Sequence, residues 1–64
     1  MKYKIKAIRE KKGISQEELS KLSGVSRSLI AELEGNAKYS PTVNTLRKIA
    51  DALNVKVQAL FLQE

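Results

Sequence analysis

SQEELSKLSGVSRSLIAELEG, residues 15–35, reads as two short helices joined by a tight turn. Ser15-Gln16-Glu17-Glu18 has the pattern of a capping box, in which the Ser15 hydroxyl accepts the Glu18 N–H while the Glu18 carboxylate reaches back to the Ser15 N–H. Gln16 and Glu17 fill the first helical positions, where the helix dipole favours acidic side chains. Leu19 and Leu22 are the predicted buried pair of this helix. Gly24 supplies the positive φ of a sharp turn, Val25 is its apolar plug, and Ser26 is placed to cap the next helix.

That second helix runs from about Arg27 to Glu34 and can be phased at ~100° per residue. Leu29, Ile30 and Leu33 gather on one face, which is the predicted core side. Ser28, Ala31 and Glu32 lie opposite, with Arg27 on their flank. Glu34 falls at the edge of the buried stripe, where a carboxylate needs a partner. Pairs of short amphipathic helices are common in cores, so the surroundings must decide what this pair does.

Outward from the pair, Lys2–Ala7 alternates polar and apolar residues, as a half-buried strand would. Ile5, Ile8 and Lys12 instead follow helical spacing among good helix formers. A helix from Tyr3 or Lys4 to Lys12, stopped by a left-handed Gly13, is the preferred reading, and the strand is its rival. Ile14 then docks on the core. On the other side, Gly35 stops the second helix of the pair and residues 36–41 form a loop. Thr42 caps a helix from Val43 to Leu53 with Leu46, Ile49, Ala50 and Leu53 as its buried stripe, and Asn54 suits a left-handed exit. Val57, Leu60 and Phe61 mark a fifth short helix. No repeat, low-complexity segment or linker divides residues 1–64, which are read as a single domain.

Composition narrows the function. A chain of 64 residues buries a modest share of its surface. With no cysteine and no histidine, it has no disulfide, no thiolate zinc site and none of the commonest metal ligand or general base. It also lacks a phosphate-cradling glycine loop and a carboxylate pair in a catalytic setting. The expectation is therefore not an enzyme, with no cofactor, metal or small-molecule ligand. The longest apolar run, Ala59-Leu60-Phe61-Leu62, is far too short for a membrane span, and the charged N-terminus has no apolar segment behind it. A cytoplasmic helical domain is expected. The net charge of +5 favours a polyanionic partner. All of the surplus lies in residues 1–12, where Lys2, Lys4, Lys6, Arg9, Lys11 and Lys12 face only Glu10. The rest of the chain is formally neutral.

Five short helices with SQEELSKLSGVSRSLIAELEG as the second and third closely resemble the phage-repressor, Cro and Xre-type helix-turn-helix family. The resemblance runs from Ile5 to Leu60. Its marks are Arg9 late in helix one, Ser15-Gln16 opening helix two, Gly24-Val25-Ser26 at the turn, and Ile30 and Glu34 in helix three, followed by Pro41 and TVNTLRKIADALNV. It implies an all-α, compact five-helix lambda-repressor-like DNA-binding domain with the helix-turn-helix at helices 2 and 3. It also implies that Arg9 pairs with Glu34. Three positions depart from the family pattern: Ser20 replaces the small residue, often alanine, of helix two; Gly35-Asn36 alters the start of the loop; and Lys56 replaces the usual cap of helix five.

The implied partner is double-stranded DNA. A helix fits the major groove, where each base pair shows a distinct set of donors, acceptors and methyl groups, and the N-terminal residues of the second helix lie nearest the base edges. The predicted base contacts are Arg27, Ser28, Ala31 and Glu32. Arg27 can grip guanine O6 and N7, or it can meet a phosphate or water instead. Glu32 can accept from cytosine N4, or simply point sideways. The predicted phosphate contacts are Gln16, Ser26, Asn36 and Lys38. One reading helix seldom supplies enough affinity, so the resemblance points to a homodimer on a near-palindromic operator, acting as a repressor more than as an activator. Its dimer surface would use Val57, Phe61 and Leu62, joined by Tyr39 and Pro41, although Val57 and Phe61 can equally close the monomer core. The Lys2, Lys4 and Lys6 cluster is left outside the predicted site. Two other functions compete: a ribbon-helix-helix repressor beginning with a strand at Lys2–Ala7, and a helical module that binds protein and not DNA.

Overall fold

A computed structural model describes residues 3–35 and 41–61. Four α-helices follow one another: α1 (Ile5–Lys11), α2 (Gln16–Ser23), α3 (Arg27–Gly35) and α4 (Val43–Leu53). A single 3₁₀ turn, Val57–Leu60, closes the described chain. The described residues contain no strand, only an isolated antiparallel bridge between Tyr3 and Phe61. No described helix is long and apolar enough to cross a membrane.

The strand reading of Lys2–Ala7 gives way to a helix beginning at Ile5. Its alternation has a physical origin all the same. Tyr3 and Ile5 both turn inward, one from extended backbone bridged to Phe61 and the other from the first helical turn. The Lys4 N–H donates to the Leu60 carbonyl at 2.6 Å, which ties the two ends of the domain together.

Helix punctuation follows the residues closely. The Ser15 capping box is complete: Glu18 N–H donates to Ser15 Oγ at 3.0 Å, and Ser15 N–H donates to Glu18 Oε1 at 3.3 Å. Ser26 Oγ accepts the Leu29 N–H at 3.1 Å, and Thr42 Oγ1 accepts that of Thr45 at 3.1 Å. Left-handed residues end three helices, at Gly13 (φ 71°), Gly24 (φ 74°) and Asn54 (φ 59°). After Gly13 and Asn54 the chain folds back in the same way. Ile14 N–H donates to the Arg9 carbonyl and Val55 N–H to that of Ala50, so each helix end is satisfied by an apolar residue packed on the core. Ser20, the departure in α2, uses its hydroxyl to donate to the Val25 carbonyl at 2.7 Å and so secures the turn.

The core is built from Tyr3, Ile5, Leu19, Val25, Ile30, Leu33, Leu46, Ile49, Ala50, Leu53 and Leu60. Two expectations are corrected. Leu22 is 61% exposed, not the buried partner of Leu19. Gln16, Ser20 and Ser23 are half-buried and lie ~40–100° to one side of Leu19, whereas Leu22 lies ~60° to the other. The buried face of α2 is thus rotated toward its serines and away from Leu22. The fifth helix is likewise only one 3₁₀ turn. Lys56 offers no side-chain cap to its start, and Leu60 is the only residue of the turn that is fully buried.

Candidate nucleic-acid interface

α3 is held on one side and open on the other. Ile30 and Leu33 fix it in the core, Leu29 is half-buried, and Arg27, Ser28, Ala31 and Glu32 are all exposed. The 100° phasing therefore placed all four predicted base-contacting residues on one outward face. That face is open to a partner, as a groove-reading helix requires. A depression of about 550 Å³ lies between α1 and residues 55–59, and is lined by Lys4, Ile8, Lys11, Lys12, Val55 and Ala59. Three of the N-terminal lysines rim it, so part of the charge surplus sits apart from the reading face.

Beneath the C-terminal turn of α3 lies a polar cluster. Arg9 Nε donates to Glu34 Oε2 at 2.9 Å, and Arg9 Nη2 donates to Glu34 Oε1 at 3.2 Å. Arg9 Nη1 donates to the Ile14 carbonyl at 2.8 Å. Both side chains are buried, at 10% and 5% exposure. The hydrogen-bonded Glu34 carboxylate raises the Arg9 pKa above its ordinary value; burial acts the other way, and the charges of Glu34 and Glu10 add to the rise. The ion pair implied by the family pattern is therefore present.

Gln16 adds a bond that sequence reasoning missed. Its Nε2 donates to Glu34 Oε1 at 2.9 Å. A carboxylate has about four lone-pair directions, and Arg9 occupies two of them. That leftover capacity on a buried Glu34 was the available signal that another donor belonged there. No buried side-chain nitrogen or oxygen among the described residues lacks a partner.

Of the other predicted contacts, Ser26 is exposed and serves as the α3 cap. Asn36 and Lys38 lie outside the described residues, as do Leu62 and Tyr39. Val57 is half-buried against the core. Phe61 is 42% exposed and packs its ring on Tyr3 at a centroid distance of 5.5 Å and a tilt of 52°.

A helix that shows a polar, cation-led face, set on a second helix through a left-handed glycine turn, defines a helix-turn-helix DNA-binding domain. Comparison with known proteins agrees. Residues 5–60 match the helix-turn-helix family. The chain is 40% identical over 62 residues to an uncharacterized HTH-type transcriptional regulator of Archaeoglobus fulgidus, covering 97% of this chain and 87% of that protein. It is 36% identical over 61 residues to the immunity repressor protein of Bacillus phage phi105, covering 95% of this chain but only 42% of the repressor. Its fold is similar to the solution structure of the N-terminal DNA-binding domain of the biofilm regulator SinR from Bacillus subtilis, with a TM-score of 0.80, 33% identity, and 95% and 88% of the two chains covered. The chain belongs to the helix-turn-helix family of DNA-binding transcriptional regulators.

Proposed function

We propose that this domain is a cytoplasmic transcriptional repressor that binds operator DNA as a homodimer, with α3 in the major groove. The observation that carries this reading is the exposure of Arg27, Ser28, Ala31 and Glu32 on the one face of α3 that the core leaves open. Arg27 opens the helix and can grip guanine O6 and N7, a pairing worth ~1–3 kcal/mol of discrimination. Ala31 can meet a thymine methyl, and Glu32 can accept from cytosine N4. Gln16, Ser26, Asn36 and Lys38 contact phosphates, setting register and affinity without reading sequence. A second copy, joined through Val57, Phe61 and Leu62, doubles these contacts and sets two reading helices about one DNA turn apart.

Selection of bound fragments from genomic DNA, followed by the same selection with Arg27→Ala, tests the base contact. Loss of a guanine contact relaxes one position in each half-site. Even weakening of all sequences, with a shallower salt dependence, would move Arg27 to the phosphate set. Sedimentation with operator duplex tests the dimer, and strictly one protein per duplex would end it. A protein-interaction module would fail to shift bulk DNA at low salt.

A further inference from the structure

Glu34 stands on the reading helix, yet its carboxylate holds residues that precede and begin α2. Oε1 accepts from Gln16 Nε2 at 2.9 Å. Arg9, gripped by both carboxylate oxygens, passes the restraint on to the Ile14 carbonyl just before the capping box. The start of α2 and the last turn of α3 are therefore tied through one buried acid, across 18 residues of sequence from Gln16 to Glu34.

A primary amide nitrogen carries two N–H groups. With one N–H of Gln16 spent on Glu34, the planar carboxamide cannot rotate freely. Gln16 is the first residue of α2, so its remaining N–H belongs to the helix start, where the dipole and the first backbone N–H groups favour an anion. We infer that Glu34 is a positioning residue for DNA binding: it orients the Gln16 amide toward a backbone phosphate and fixes that contact relative to the base-reading face of α3. This rests on the proposed phosphate contact of Gln16.

The two effects of the carboxylate on DNA affinity have opposite signs. An acid near a polyanion weakens binding by simple electrostatics, so neutralising Glu34 would tighten it. Losing the oriented amide would loosen it by about fivefold, the worth of one hydrogen bond. Glu34→Gln keeps the size, removes the charge and leaves one oxygen for the three donors of Arg9 and Gln16, and the Q16A background separates the two effects.

The test is a double-mutant cycle on the full chain. Wild type, Q16A, E34Q and the double variant are titrated against one operator duplex, at a temperature where circular dichroism shows each folded. Positioning requires E34Q to cost about fivefold in Kd when Gln16 is present, and less than about twofold in the Q16A background. Gln16 carries no charge, so the salt slope should not change when Q16A is added to either wild type or E34Q. An equal cost of E34Q in both backgrounds would make Glu34 a purely structural residue and overturn the inference, and so would unchanged or tighter binding by E34Q. If Q16A itself costs nothing, the phosphate contact of Gln16 falls first and takes the positioning role with it.

Discussion

Arg9 and Glu34 are 25 residues apart and meet as a buried bidentate pair, with Nε–Oε2 at 2.9 Å and Nη2–Oε1 at 3.2 Å. Removing the arginine strands a carboxylate that only Gln16 then satisfies, a loss of ~3–5 kcal/mol for a buried charge left without its partner. In a domain this small 1 kcal/mol corresponds to about 4–8 °C in melting temperature. Arg9→Ala should therefore lower Tm by more than about 12 °C, whereas Lys11→Ala, at an exposed position of the same helix, should move it by no more than a few degrees. The raised Arg9 pKa puts any loss on the alkaline side. The pair's contribution is complete below the unfolded arginine pKa and disappears only as pH rises through the higher folded value. The gap between wild type and R9A should thus hold from neutral pH to about pH 10. Thermal melts across that range check both statements, and equal effects of R9A and K11A would show that the pair does not matter to stability.

A buried ion pair is poor proof of stabilisation, because apolar residues of similar size often serve as well. Arg9→Met combined with Glu34→Leu should therefore regain most of the Tm lost in either single variant. DNA affinity should not return with it, since Gln16 and the loop at Ile14 then lack their anchor. Melting curves and gel shifts on the same preparation separate the two. Recovery of both properties would mean that the cluster serves the fold alone.

How much was legible can be judged residue by residue. Ser15, Ser26 and Thr42 announce helix starts, and Gly13, Gly24 and Asn54 announce stops, because caps are local chemistry between near neighbours. The outward face of α3 followed from phase alone, since Leu29, Ile30 and Leu33 leave no doubt about where its core side lies. α2 has only Leu19 and Leu22 to set its phase, and two leucines ~60° apart are compatible with burial of both or of one. Packing against α3 and α4 made the choice. Val57, Leu60 and Phe61 have spacing that suits an α-turn or a 3₁₀ turn alike, and the missing cap at Lys56 gave the shorter element. The Gln16–Glu34 bond joins residues from different helices, and no local signal encodes it.

The corrected phase of α2 separates two leucines that look alike in sequence. Leu19 is fully buried and Leu22 is 61% exposed. Leu19→Ala should cost ~2–5 kcal/mol, enough to unfold much of a domain this size. Leu22→Ala should stay within about 0.5 kcal/mol of wild type. Urea unfolding followed by circular dichroism gives both numbers, and comparable losses would restore Leu22 to the core.

Gly24 tests whether the turn between α2 and α3 depends on conformation or on space. Its φ of 74° is in the left-handed region, yet a Cβ built there meets nothing within 4 Å. The cost of Gly24→Ala is therefore torsional, ~1–2 kcal/mol, or about 4–16 °C in Tm. Gly24→Asn should recover part of that loss, because asparagine tolerates the left-handed region better than alanine. The Cβ of either variant meets no packed neighbour, so each variant, assayed where it is folded, should bind operator DNA within about twofold of wild type. A large loss of affinity in folded G24A would show that the backbone at this turn itself approaches the DNA, a contact that the arrangement of Gln16 and Arg27 does not require.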